Sequence, residues 1–421
     1  MVLSRRHFVM GGAALAAAGL PFLFKRKSHA ASATLIPDPE GILDLPAGFR
    51  YRVLSRSGQP MTDGFRVPSL PDGMACFPGA PGQLILLRNH EVTRSYGSGA
   101  YSRGNAPPEA FDPSAFGAVT RVVLDEKSLT PVSSNLVLTG TIKNCSGGPT
   151  PWGWLTCEET SEAGHGYVFL CRTEADRVRP PERITGYGRF AHEAVAFDPG
   201  TRIAYLTEDR ADSCLYRFVP VRPDDAFSGK LYALRVKGSD RLDASKAISP
   251  GQKVEVDWVE LPDPDPKKDS LRSAAQALGA ATFNRGEGAF FGGGSAYFVA
   301  TSGGKSGRGQ LFRLTPSPEH DTLEVVCEAG GESSLDGPDN VTLAPFGDVV
   351  LAEDGSGDNY VRGLTPRGRL YDIARNAASR FEIAGICFSP DGGTLFLNLQ
   401  ADGLTLAVRG PFATLGQMQV G

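Results

Sequence analysis

None of the seven cysteines in this 421-residue chain stands in a C-x-x-C pair; Cys76, Cys145, Cys157, Cys171, Cys214, Cys327 and Cys387 are scattered along it. That spacing excludes a zinc ribbon and argues against a disulfide framework. Basic charge is also scarce: 43 Lys and Arg stand against 47 Asp and Glu, a net charge of −4. The first 30 residues hold five basic side chains and no acidic ones, so the remainder is more acidic still. An acidic surface argues against a nucleic-acid partner and suits divalent cations. Long amphipathic helical patterns are missing, and the best helical candidate is Ser270–Ala281, beside a charged, Pro-rich insertion at Pro262–Asp269. Apart from one N-terminal run, nothing approaches the ~20 apolar residues of a membrane-spanning helix.

What is present points to short strands and tight turns. The chain has 51 Gly and 31 Pro and is 41% hydrophobic, with enough length to bury a large core. At the N-terminus Ser4-Arg5-Arg6-His7-Phe8 precedes an Ala/Gly/Leu-rich run, and Ser28 to Ala33 offer small residues for cleavage. The apolar run, about 15 residues, has the length of a signal h-region. The paired arginines resemble a twin-arginine export signal, with Met10 where that pattern has Lys. Residues 1–33 are therefore read as a signal peptide and 34–421 as a single domain. The mature protein is expected to be periplasmic or extracellular, free of stable membrane insertion, and carried out by the twin-arginine translocase. An odd number of cysteines leaves at least one thiol unpaired. Cys76, Cys157, Cys327 and Cys387 lie among apolar strand residues and are expected to be buried. Cys145, between Asn144 and Ser146, is the exception.

Internal repetition organises the rest. Six segments share one plan: a polar or acidic residue, a short apolar strand, a Pro/Gly turn, and a second strand closing on polar residues. They begin near Asp72, Asn144, His192, Arg285, Asp339 and Glu382, with turns at Gly82, Gly153, Gly200, Gly294, Gly347 and Gly393. The shorter intervals match one four-stranded blade, and two longer ones leave room for insertions. The expected fold is all-β, a six-bladed β-propeller with surface insertions. Radial repetition would bring the start of each first strand and the end of each second strand to one face. Collected there would be Glu91, Cys145, Glu158 or Glu159, Glu193, Arg285, Glu287, Asp339 and Asp354. So many carboxylates repel one another and demand cations. Carboxylates suit calcium, a thiolate suits a softer ion such as iron, and Arg285 suits an oxyanion. His90 and His192 are expected to be structural partners, and Trp152 and Trp154 packing residues. Glu208 and Asp209 read equally well as ligands or as solvated strand ends.

The blocks N-C-S-G-G-P-T-P-W-G-W-L-T-C-E-E (144–159), G-R-F-A-H-E-A (188–194), R-G-E (285–287), P-D-N (338–340) and G-I-C-F-S-P-D-G-G-T-L-F-L-N-L-Q (385–400) resemble the PhoX-type alkaline phosphatases. The resemblance covers nearly the whole mature chain. It implies a six-bladed propeller that hydrolyses small phosphate monoesters at a cluster of ferric iron and calcium. By motif, it implies that Cys145 and Glu159 ligate iron, that Glu193 and Glu287 complete the cluster, and that Asp339 and Asp354 bind mainly calcium. Arg285 would hold the phosphate and stabilise the transition state. Three features depart from the family. The chain is shorter than many members. The tryptophan block is one residue shorter, which leaves Glu158 or Glu159 open as the ligand. Ala401-Asp402-Gly403 stands where His-Pro-Gly is expected, so no substrate contact is carried over to that loop. The competing readings are a calcium-dependent lactonase- or phytase-like propeller and a non-catalytic binding propeller. Cys145 and Arg285 favour the phosphatase. A monomer is expected.

Overall fold

The structure is a computed structural model, and it describes residues 34–222, 224–330 and 335–415. The proposed signal segment, 1–33, lies outside the described residues. Strands dominate, and every pairing between named strands is antiparallel. The expected helix is found, shortened to Leu271–Ala277. No helix among the described residues is long and apolar enough to cross a membrane.

The six repeats are all strand pairs, and their first strands are Pro71–Pro78, Asn144–Thr150, His192–Phe197, Gly286–Gly292, Pro338–Leu343 and Ile383–Phe388. Each neighbours the next in this order, and the last returns to the first, which closes a ring around one axis. The fold is thus all-β and propeller-like. The expectation of six separate blades needs correction: hydrogen bonding gives four smaller sheets and one of nine strands. The nine-stranded sheet runs from His192–Phe197 round to Gly286–Gly292, and these two end strands lie side by side, so it nearly closes on itself. The cause is the insertion between the third and fourth repeats. It contributes the strand Lys253–Leu261, which pairs with Asp225–Val236 on one edge and Asp321–Glu328 on the other. An open strand edge is a row of unmet donors and acceptors, and the added strand satisfies two such edges at once.

The ring is closed with strands from both ends of the chain. Arg50–Arg56 pairs with Leu404–Arg409 as the outer strand of the last sheet. The core lies between neighbouring repeats: Leu155, Val168, Val195, Leu206 and Phe218 form one cluster, and Val350, Ile373, Leu395, Leu397 and Leu406 another. Each such side chain contributes about 1.5–3 kcal/mol by leaving water.

One irregularity recurs in every repeat. The first strand of each carries a bulge, in which it advances three residues while its partner advances two. The first of the two bulged residues is Asp72, Cys145, Glu193, Glu287, Asp339 and Gly385 in turn. A bulge re-aims a side chain out of the normal alternation, and here it does so at the same register throughout.

Candidate metal centre and active site

The five side chains at these bulges are all buried. A second set comes from the residue that follows each second strand. These are Glu91, Glu159, Asp209, Thr301, Asp354 and Gln400, after strands ending at His90, Glu158, Glu208, Ala300, Glu353 and Leu399. Together the two sets make three overlapping groups with ligand atoms within 4.8 Å of one another: Asp72, Glu91 and Cys145; Cys145, Glu159 and Glu193; Glu193, Glu287 and Asp339. Such clusters can hold metal ions. Of the sequence-predicted ligands, Cys145, Glu159, Glu193, Glu287 and Asp339 are brought together, whereas Asp354 is half-buried and belongs to none of the three groups.

Alternation along the strand separates Glu158 from Glu159. Successive residues point to opposite faces, and Glu158 turns away from the axis. Its carboxylate accepts hydrogen bonds from Ile142 N at 2.9 Å, Gly166 N at 2.9 Å and Tyr167 N at 3.2 Å, and contacts His165 Nδ1 at 2.7 Å. Glu159 faces the ring, where Lys143 Nζ lies 2.6 Å from its Oε2 and 3.5 Å from Glu91 Oε1. Lys143 reaches this place from a left-handed backbone conformation, φ 56°. Glu208 and Glu353 behave like Glu158. Glu208 meets Arg272 Nη1 at 2.7 Å and Tyr216 Oη at 3.0 Å, and Glu353 meets Arg362 Nε at 3.0 Å. Glu208 thus ties its sheet to the helix Leu271–Ala277, and Glu353 is a partner within its own sheet.

Arg285 stands at the rim. Asp209 grips it, with Nε to Oδ1 at 2.8 Å and Nη2 to Oδ2 at 2.9 Å, and Nη2 also reaches Glu287 Oε1 at 2.6 Å. The other oxygen of Glu287, Oε2, accepts no hydrogen bond among the described residues. Burial pushes the Glu287 carboxyl well above the usual range, and the carboxylates of Asp209, Glu193 and Asp339 push it further, against the pull of Arg285. On the opposite side, Gln400 Nε2 donates to Asp72 Oδ2 at 2.5 Å and to Glu91 Oε2 at 2.7 Å.

The remaining expectations divide. His90 is buried against Ser69 O (3.1 Å) and Thr120 Oγ1 (2.9 Å), and His192 is stacked on Phe190, with Nε2 2.9 Å from Gly188 O. Both are structural, and burial lowers His192 to about 3. Trp154 packs and donates to Asn89 Oδ1 at 2.8 Å, and Trp152 lies against Phe197 and Phe227. No disulfide joins any of the cysteines among the described residues; Cys157 and Cys387 are buried as expected, Cys76 and Cys327 are only half-buried, and Cys145, set apart from them by its polar neighbours, is buried as well. Sequence reasoning missed Asp72, Lys143 and Gln400, and the grip of Asp209 on Arg285. Asp72 had a signal, since it holds the same place in the first repeat as Cys145 does in the second. Gln400 is likewise the sixth-repeat counterpart of Glu91. Lys143 had none.

No curated protein sequence matches the chain. Among solved structures, Pseudomonas fluorescens PhoX in complex with vanadate, a transition state analogue, is similar with a TM-score of 0.71 and 18% identity, covering 91% of this chain and 98% of that one. A catalytically inactive virginiamycin B lyase from Staphylococcus aureus is more distant, with a TM-score of 0.39 and 13% identity over 86% of this chain and 99% of that one. The sequence profile of the alkaline phosphatase PhoX matches residues 31–130 and 127–403, most of the chain. With that match over a ring of this geometry, the chain belongs to the PhoX family of alkaline phosphatases and is a phosphatase.

Proposed function

We propose that the protein is an exported, metal-dependent phosphomonoesterase whose reaction takes place at the ring of carboxylates around Cys145. The observation that carries this reading is the run of seven buried side chains in three overlapping groups. Buried anions this close cannot all stay ionised without cations, as the upward push on the Glu287 carboxyl indicates. The donor set fits. Cys145 with Asp72, Glu91 and Glu159 joins soft sulfur to oxygen and suits ferric iron, whereas Glu193, Glu287 and Asp339 offer oxygen alone and suit calcium. Asp354, at the matching place in the fifth repeat, would add a carboxylate on the calcium side. When bound, such cations supply positive charge that stabilises the phosphoryl oxygens in the transition state.

The chain's own residues orient the substrate. Arg285 presents a planar guanidinium that matches two phosphate oxygens and adds fixed charge where negative charge develops. Asp209 holds that plane in position before substrate arrives. Gln400 and Lys143 hold Asp72, Glu91 and Glu159 in place around the ring. Phosphoryl transfer needs positioning and charge more than acid–base groups, and this is what the ring and rim offer.

The test is hydrolysis of 4-nitrophenyl phosphate at alkaline pH with added calcium, with metal content measured in the same samples. Wild type is expected to contain iron and calcium, and Cys145→Ala to lose iron. Arg285→Ala should lose at least about 100-fold in kcat/KM. Full activity in an iron-free Cys145→Ala protein would remove the role given to iron. Export rests on residues 1–33. Exchanging Arg5 and Arg6 for lysine should hold the protein in the cytoplasm, and its recovery in the periplasm would remove that part of the reading.

A further inference from the structure

Beside Arg285 lies a cavity of about 680 Å³. Its wall is assembled from separate segments of chain tied together through the backbone. Thr301 N donates to Arg285 O at 2.9 Å, and Ser302 N to Asn284 O at 3.2 Å. Asn284 N donates to Ser245 Oγ at 3.0 Å and Gly304 N to Ser245 O at 3.1 Å. These bonds dock the short helix Ala244–Ala247, which carries Lys246, against the Arg285 turn. From the other side Gly337 N donates to Arg308 O at 2.7 Å. Lys246, Asn284, Arg285, Ser302, Arg308 and Asp336 are thereby held around one space.

The chemistry of that space is one-sided. Among the described residues three cations and one carboxylate line it, with small polar side chains between them, and no aromatic or large aliphatic side chain does. Lys246 Nζ is 2.7 Å from Asp243 and Arg308 Nε is 3.1 Å from Asp336. The lysine and arginine side chains are 71% and 42% exposed, so both pairs are of the weak, solvated kind that yields to an incoming anion. An aromatic leaving group finds nothing to stack on here. A second anionic group finds an arginine fork and an ammonium.

We propose that this cavity receives the leaving-group half of the substrate and selects phosphomonoesters whose alcohol carries a second anionic group, read by Arg308 and Lys246. The proposal rests on the reading that Arg285 meets the reacting phosphate. Arg285 lines the same cavity as Arg308 and Lys246, so the alcohol of a substrate held by Arg285 has this space, and those two cations, to extend into.

The test compares matched substrates: 3-phosphoglycerate with glycerol 1-phosphate, and fructose 1,6-bisphosphate with fructose 6-phosphate. The first pair adds a carboxylate and the second a phosphate, so the two arms separate the possible anions. The doubly anionic member should be preferred in kcat/KM by about tenfold, mainly through KM. That ratio should fall towards one in the Arg308→Gln/Lys246→Gln double variant, and by a smaller factor in each single variant, which keeps the test open if the double variant folds poorly. A wild type with no preference in either arm overturns the proposal, and so does a preference that survives the double substitution. Preference in one arm alone supports it and names the anion. If hydrolysis depends on Arg285 but no preference exists, only this inference falls. If Arg285→Ala hydrolyses glycerol 1-phosphate as well as wild type, the reading it rests on falls too.

Discussion

Asp209 receives both Nε and Nη2 of Arg285, at 2.8 and 2.9 Å, and so sets the plane in which the guanidinium would meet a phosphate under the proposed function. Asp209→Asn removes the charge and one acceptor from that grip. A misplacement of about 1 Å in such a group costs up to 100-fold, so kcat/KM for 4-nitrophenyl phosphate should fall by about 10- to 100-fold while the fold persists. Unchanged kinetics in this variant would show that Arg285 needs no orienting partner. A second residue, His165, links stability to pH. Burial lowers its pKa, but the carboxylate of Glu158 at 2.7 Å and that of Asp112 at 3.3 Å outweigh burial, and the net shift is upward from 6.5. A raised folded-state pKa means that the native protein binds the proton more tightly than the unfolded chain. The stabilisation is therefore complete below about pH 6.5 and is lost as pH rises through the folded-state value. The gap in unfolding free energy between wild type and His165→Gln should shrink across that window, as measured by urea titrations at several pH values. A gap independent of pH would contradict this.

At the scale of the element, the repeated bulge has a steric requirement. The first strands approach so closely at the axis that a Cβ on Gly288 would lie 2.6 Å from Asp339 O. At Gly385 the backbone is left-handed, φ 62°, and a Cβ there would collide with Asp72 O. Gly385 is also the one bulge of the six with no acidic or thiol side chain, and its N–H donates to Asn340 Oδ1. Gly288→Ala must push two inner strands apart beside Glu287 and Asp339. It should cost about 1–3 kcal/mol, in the range of other overpacked sites, and lower metal content. Denaturant unfolding and metal analysis of one preparation would check both, and wild-type values in each would mean that the strands have slack.

For the whole molecule, closure matters most. The strands Arg50–Arg56 and Leu404–Arg409, far apart in sequence, complete one sheet. The ring they close holds seven buried acidic or thiol side chains in neighbouring groups. Cations held there, as proposed, would stabilise the folded ring over the open chain, by about 2.7 kcal/mol for a site held at a hundredfold excess over its Kd. Stripping metal with a chelator should therefore lower Tm, and calcium added back should restore much of the loss. A Tm indifferent to chelation would argue that Lys143, Gln400 and protonated carboxylates balance the ring without ions.

Much of this was legible in one dimension. Alternating apolar residues and Gly/Pro turns announce strand pairs, their sixfold recurrence announces the ring, and the acids and the thiol sit at two fixed places within the repeat. These are local patterns, and a strand's period of two is a property of its own backbone. Other features depend on which strands meet. Lys143 between Glu91 and Glu159, Gln400 against Asp72, and Asp209 behind Arg285 are contacts between repeats, with no sequence signature. The choice of Glu159 over Glu158 needed the direction of the axis, and the nine-stranded sheet needed an insertion to find two open edges. The sequence by itself determined the strands, their repetition and the chemistry each carries; only closure of the ring decided which of those groups face one another, because contacts across a ring depend on how its ends meet.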